Sequence, residues 1–364
     1  MTPSASIAAR TAALGLTLVL ALAGCSSDGN TYGNTTGVPA TGVYVIQNTP
    51  VSGTTAASAS VLEFSPSASG AATPIATIAN TGVTALAFLA VDGYGNLYTT
   101  ASQGTTGTSL IEYLAGSSNN TQPIRSLPFN TTTGLSDVSG LAVDPTGDIY
   151  ASNDPTGVLI FSSTATGSVA PADTIPSAPD SLGGDLSTLQ VSYADAVDTN
   201  GNLYVVNTPP TNAIAVPPIT DPIVVFAPGA TGNVAPTRSL GGALTTLTVG
   251  SARSIATDTA GNLYVANVVS GVSSILIFSP TATGNTPPLR DITGSNTQLG
   301  CLGGIALDTE GYLYVVSAPC SSSPTASPSV LKFSTTGDGN IAPVTTFTST
   351  AWTNADPTLS IAVY

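Results

Sequence analysis

The chain has 364 residues, with 20 Asp and Glu against 6 Lys and Arg and a formal net charge of −14. A surface this acidic excludes nucleic acid as a partner class, because phosphate binding needs a basic face. The complete absence of His removes Ser-His-Asp and Cys-His nucleophile systems and His-ligated zinc or copper, and a 42% share of apolar residues in short alternating runs argues against disorder.

Residues 1–24 read as a secretory signal. Arg10 is the only charge, and the apolar run "AALGLTLVLALAG" follows it. A short positive region, a brief apolar core and small residues before the cut define such a signal, and the run is too short for a membrane-spanning helix. The four residues "LAGC", Leu22 to Cys25, resemble a bacterial lipobox. That resemblance implies cleavage before Cys25 and lipid on its thiol and new amino group. Ser26 rather than Asp follows, which by the same resemblance favours the outer membrane or cell surface over the inner membrane. Residues 26–41 are Gly, Ser, Thr and Asn with one charge; they read as a flexible tether. Without Arg10 the chain carries 5 basic and 20 acidic residues, or −15.

From residue 42 to residue 364 the sequence repeats itself, which overrules a two-domain estimate from length. One phrase is apolar-Ala-apolar-Asp-x-x-Gly-x-apolar-Tyr, as in "GLAVDPTGDIYASN" and "SIATDTAGNLYVAN". Its Asp stands at Asp92, Asp144, Asp198, Asp258 and Asp308, and its Tyr at Tyr98, Tyr150, Tyr204, Tyr264 and Tyr314. A second phrase is "VLIFSSTATGSVAP" or "ILIFSPTATGNTPP", with its aromatic at Phe64, Tyr113, Phe161, Phe226, Phe278 and Phe333. Each unit holds four strand candidates. The Asp opens a turn through side-chain bonds to the backbone, and the Gly supplies positive φ, which favours a structural role for these Asp residues over metal binding. Five full first-to-second hairpins leave "VYVIQ" (43–47) without a first strand and "LSIAVY" (359–364) without a second. Side by side these make a sixth. The expected architecture is all-β: a six-bladed β-propeller of four antiparallel strands per blade, about 54 residues each, closed by three N-terminal strands and one C-terminal strand in a shared blade. The phrase "AVDTNGNLYVVN" resembles the NHL repeat, and the whole region is similar to NHL-type six-bladed propellers. It lacks the His of that family's name, and its blades are long.

Counting back from each turn Asp, with Tyr364 aligned to it, two residues before stand Ala90, Ala142, Ala196, Ala256, Ala306 and Ala362. Blades converge at the axis, where close packing needs a small side chain. Three residues before, Asp195 is the sole carboxylate in a row of large apolar residues. A buried carboxylate needs a cation, donors or water, and Arg253 lies on the next inner strand. The expectation is an Asp195–Arg253 pair beside the central channel, serving either as a structural ion pair or as part of a ligand site. The Asp-x-x-Gly turns and "SPTATGN" connections share one end, the bottom, and are uniform. The top connections vary: 101–108, 176–192, 208–222 and 348–358. Long varied loops on a rigid ring carry binding. Tyr193, Asp180, Asp185, Asp137 and Trp352 map to this rim, where Trp352 either stacks on a sugar or peptide or plugs a loop into the core. Cys301 and Cys320 fall together at the top of one blade, as a disulfide or as reactive thiols; a disulfide there would contribute roughly 3 kcal/mol.

The leading functional expectation is a non-catalytic monomer without a cofactor: a lipid-anchored propeller of the bacterial cell envelope that binds a protein, peptide or glycan through its top loops, with its lipid in the membrane. The alternative is a divalent-metal hydrolase similar to gluconolactonase-type propellers. That resemblance implies a channel-mouth metal on carboxylates and Asn, a calcium-type site, for which Asp195 with Asp137 or Asp185 are the candidates. A purely structural calcium ion would need the same residues.

Overall fold

The computed structural model of the chain describes residues 42–49, 57–80, 82–103, 107–177, 189, 191–208, 221–318, 320, 328–352 and 360–364. Blade one contains β1 (Val43–Thr49), β2 (Ser58–Phe64) and β4 (Ala76–Ile78); the short β3 (Gly70–Ala71), in the connection between the last two, pairs parallel with the outermost strand of blade six. Blade two is β5 (Ala85–Val91), β6 (Leu97–Ser102), β7 (Thr108–Tyr113) and β8 (Arg125–Pro128). Blade three is β9 (Asp137–Val143), β10 (Ile149–Asp154), β11 (Gly157–Phe161) and β12 (Asp173–Pro176). Blade four is β13 (Val191–Val197), β14 (Leu203–Thr208), β15 (Ile223–Phe226) and β16 (Arg238–Leu240). Blade five is β17 (Ala252–Thr257), β18 (Leu263–Val269), β19 (Val272–Phe278) and β20 (Arg290–Thr293). Blade six is β21 (Cys301–Leu307), β22 (Tyr312–Ala318), β23 (Ser329–Ser334) and β24 (Thr345–Thr348). The last strand, β25 (Ile361–Val363), returns to blade one and pairs antiparallel with β1, matching Val43 to Val363 and Val45 to Ile361. Blade one is thus ordered β25-β1-β2-β4, the shared blade that the two leftover phrases required. The inner strands adjoin in the cycle β25, β5, β9, β13, β17, β21 and back to β25.

Each seam between neighbouring blades is one apolar cluster, and there are six. The third-strand aromatics Phe64, Phe161, Phe226, Phe278 and Phe333 are fully buried in these seams. Alternation along each strand explains this: a sheet packed on both sides buries both of its faces.

The bottom turns are hydrogen-bonded as the Asp spacing requires. Asp92 Oδ1 accepts from the N–H groups of Tyr94 and Asn96 at 2.9 Å, and Asp198, Asp258 and Asp308 repeat this. Their other oxygens accept from the Tyr hydroxyl six residues on, at 3.0 Å from Tyr98 and 3.1 Å from Tyr314. Cations back the tyrosines. Arg125 Nη2 donates to the Tyr98 hydroxyl at 3.0 Å and Arg238 Nη2 to that of Tyr204 at 3.1 Å, while Arg290 supports Tyr264 and Lys332 lies 3.8 Å from Asp308. Arg125 also pairs with buried Glu112.

A second ring of bonds runs around the outside. Each bottom connection between third and fourth strands donates an N–H to the outermost strand of the preceding blade. The six bonds are Ala72 to Thr348, Asn119 to Thr77, Gly167 to Ser126, Gly232 to Thr174, Gly284 to Ser239 and Gly339 to Asp291, at 2.5–2.8 Å. The residue at the bend takes left-handed φ: Gly70, Gly167, Gly232, Gly284 and Gly339, with Asn119 the one non-glycine at φ 56°. Only Gly, and after it Asn, adopts that conformation cheaply. Each outer edge, which would otherwise present only unpaired strand groups, has a partner at that point.

Candidate functional site at the channel mouth

The inner strands do not run as straight ladders. In each full hairpin the register slips by one residue: at Phe88 in β5, Ser139 in β9, across Tyr193 and Ala194 in β13, at Arg253 in β17, and across Gly303 and Gly304 in β21. A bulge leaves its extra residue outside the ladder and re-aims its side chain. Here the bulges stand at one level, four or five residues before the turn position, so they ring the upper channel. Phe88 carries φ 55°, a left-handed conformation costly for an aromatic residue.

Within that ring lies a cavity of about 540 Å³, a size that suits small ligands. Its walls come from all six inner strands. Leu86, Phe88 and Leu89 line one side with Leu141; Arg253 and Ser254 stand on another, and Asp195 lies between. Several groups clasp blade to blade around it. The Asn48 amide exchanges two bonds of 2.9 Å with the Leu86 backbone. Ser360 Oγ accepts from the Leu89 N–H at 2.8 Å, and Ser254 Oγ from the Ile305 N–H at 3.2 Å. Both N–H groups follow a bulge.

Asp195 is 7% exposed. The expected pair with Arg253 does not form. Asp195 reaches blade three instead, where Oδ2 accepts from the Ser152 N–H at 3.0 Å and Oδ1 from the Ser152 hydroxyl at 2.6 Å. The bulge explains the difference. Arg253 is itself the inserted residue between paired Ala252 and Ser254, so the two-residue alternation that placed it on the side of Asp195 is broken there. Burial pushes the Asp195 carboxyl up to about 7, and the two Ser152 bonds hold it back only in part.

Other expected site residues are dispersed. Asp137 is exposed at the top of β9, paired in register with Asp154, and does not line the cavity. Trp352 is 5% exposed and packs on Phe64 and Phe347 with ring centroids at 5.5 and 6.0 Å; it plugs the core between blades one and six and offers no ring face to a sugar. Tyr193 belongs to β13, but its side chain, Asp180, Asp185, Cys25 and the tether lie outside the described residues. No group of three or more metal-ligating side chains occurs among the described residues. Cys301 and Cys320 form a disulfide with Cα atoms 4.9 Å apart, and Cys301 sits in the cavity wall. Phe88, Ser254, Ser360 and Asn48 were not anticipated. The doubled glycine at 303–304 was the one local sign of a bulge.

No protein-family profile and no curated protein matches the chain. Solved structures do. A crystal structure of a protein of unknown function from Bacteroides caccae aligns at 9% identity over 88% of this chain and 99% of that one, with a TM-score of 0.53. The likeness is one of fold. A protein from Lactobacillus plantarum aligns at 14% identity over 84% of this chain and 82% of that one, with a TM-score of 0.48.

Proposed function

We propose that this chain is a lipid-anchored, extracytoplasmic binding propeller of a bacterial envelope, non-catalytic, which receives a protein, peptide or glycan at its top face, with the channel mouth as the centre of the contact. The observation that carries this reading is the ring of bulges around the cavity. A scaffold needs no irregular inner strand, and here all five full hairpins have one. Bulges recur next to sites where a side chain must be aimed. The "LAGC" sequence supports the anchor. Gly42 lies at the bottom, where its carbonyl accepts from the Tyr364 N–H at 3.2 Å, which supports a bottom attachment and a top face turned outward.

Peptide and glycan arrays probed with the purified chain test the reading. Ala87 lines the cavity and is exposed, so Ala87→Trp fills the mouth without disturbing a seam. Loss of the array signal in that variant, at unchanged melting temperature, is expected. A signal indifferent to it would remove the channel mouth from the function. Mass spectrometry of membrane extracts checks Cys25 for lipid, and Cys25→Ser is expected to release the chain from the membrane.

A further inference from the structure

The cavity wall is chemically lopsided. Four of the five basic residues beyond Arg10 are spent on the bottom: Arg125, Arg238, Arg290 and Lys332 all back a turn tyrosine or its Asp. Arg253 is the fifth. It is exposed, stands at the bulge of β17 and makes no hydrogen bond, ion pair or ring contact among the described residues. Opposite it stands a different kind of residue. In the cycle of inner strands β5 and β17 are three places apart, hence on facing sides of the channel, and the bulge of β5 presents Phe88. Leu86, Leu89 and Leu141 continue the apolar wall beside Phe88. A guanidinium on one side and an aromatic residue held in left-handed backbone on the other describe a seat for a molecule polar at one end and apolar at the other.

The geometry points to a small organic carboxylate with an apolar body as the occupant of the channel mouth, its carboxylate on Arg253 and its body against Phe88. This rests on the channel mouth being the binding site and adds what kind of molecule it takes. A carboxylate fits one guanidinium as a planar, two-pronged, singly charged partner. Inorganic phosphate has no apolar body to set against Phe88 and the leucines beside it. Among the described residues the other ionisable group in the wall is Asp195, bound to Ser152 and thereby turned to the blade-three seam rather than to an anion on Arg253.

The test is isothermal titration of the full chain in detergent at pH 6 and low salt. The probes are 3-phenylpropanoate, the matched alcohol 3-phenylpropanol, and inorganic phosphate. The acid is expected to bind at least about tenfold more tightly than the alcohol, as one charged hydrogen-bonded pair implies, and phosphate not at all. Arg253→Gln, a change on an exposed side chain, is expected to bring the acid down to the level of the alcohol. Phe88→Asn, which tolerates the left-handed backbone, is expected to weaken acid and alcohol alike. Equal binding of acid and alcohol, an acid preference that survives Arg253→Gln, or binding of phosphate instead would each overturn the inference. So would failure of every probe. In those cases the response of the array signal to Ala87→Trp still decides whether the mouth is a binding site at all, so the two readings fail separately.

Discussion

Replacing Asp195 by Asn should stabilise the protein at alkaline pH and leave it unchanged in acid. Burial raises this carboxyl from 3.8 to about 7. An acid so raised keeps its proton in the folded state and gives it up in the unfolded state. Folding therefore takes up a proton between about pH 4 and pH 7, and stability falls as pH rises through that window. Each unit corresponds to about 1.4 kcal/mol, so the ionised group costs up to about 4 kcal/mol above pH 7. Asn mimics the neutral acid: its oxygen can accept from the Ser152 N–H while its amide donates to the Ser152 hydroxyl. Urea unfolding at about pH 3.5, below the window, and at about pH 8.5 measures both arms. The expected gain for Asp195→Asn is about 2–4 kcal/mol at the higher pH and close to none at the lower. A variant less stable than the parent at pH 8.5 would show that Asp195 is needed as an anion, and the account of its burial would be wrong.

Arg125→Ala strips the partner from buried Glu112 and the donor from Tyr98; a loss of about 3–5 kcal/mol in chemical unfolding is expected. Asn119→Ala puts a β-carbon with no local hydrogen bond into left-handed backbone and should cost about 1 kcal/mol, whereas Asn119→Gly should be neutral or better by the same assay. Reduction of Cys301–Cys320 should lower stability by roughly 3 kcal/mol, and non-reducing mass spectrometry of the native chain should find no free thiol at either position. If 3-phenylpropanoate seats on Arg253, its affinity should fall as pH rises through about 7, because Asp195 then adds a negative charge to the same wall, and Asp195→Asn should flatten that profile.

The repeat arithmetic made the architecture legible because each blade states the same four strands in the same order, and the unfinished phrases at residues 43 and 364 complete one another across β1 and β25. The row of six alanines was legible for the same reason: close approach at the axis admits little else. The bulges were not. Arg253 sits in "SARSIATD", where apolar and small residues alternate as in an uninterrupted strand, so nothing local distinguishes an inserted residue from a paired one. The pairing of Asp195 with Ser152 instead of Arg253 follows from that hidden slip. Trp352 was undecided because a lone aromatic in a variable loop has no neighbours in sequence to show which way it turns. The recurring Gly of "TATGN" was visible as a turn, but its bond to the preceding blade joins Gly284 to Ser239, and a contact between repeats leaves no trace in the spacing within one.

The place of β1 in its sheet decides how the molecule responds to being pulled. Residues before Gly42 lead directly into β1, which is flanked on both sides, by β2 through seven matched pairs and by β25 through three. A force transmitted along that strand loads both ladders in shear, and their bonds must slip together rather than open one after another. A propeller held by its first strand is therefore gripped where sliding is hardest.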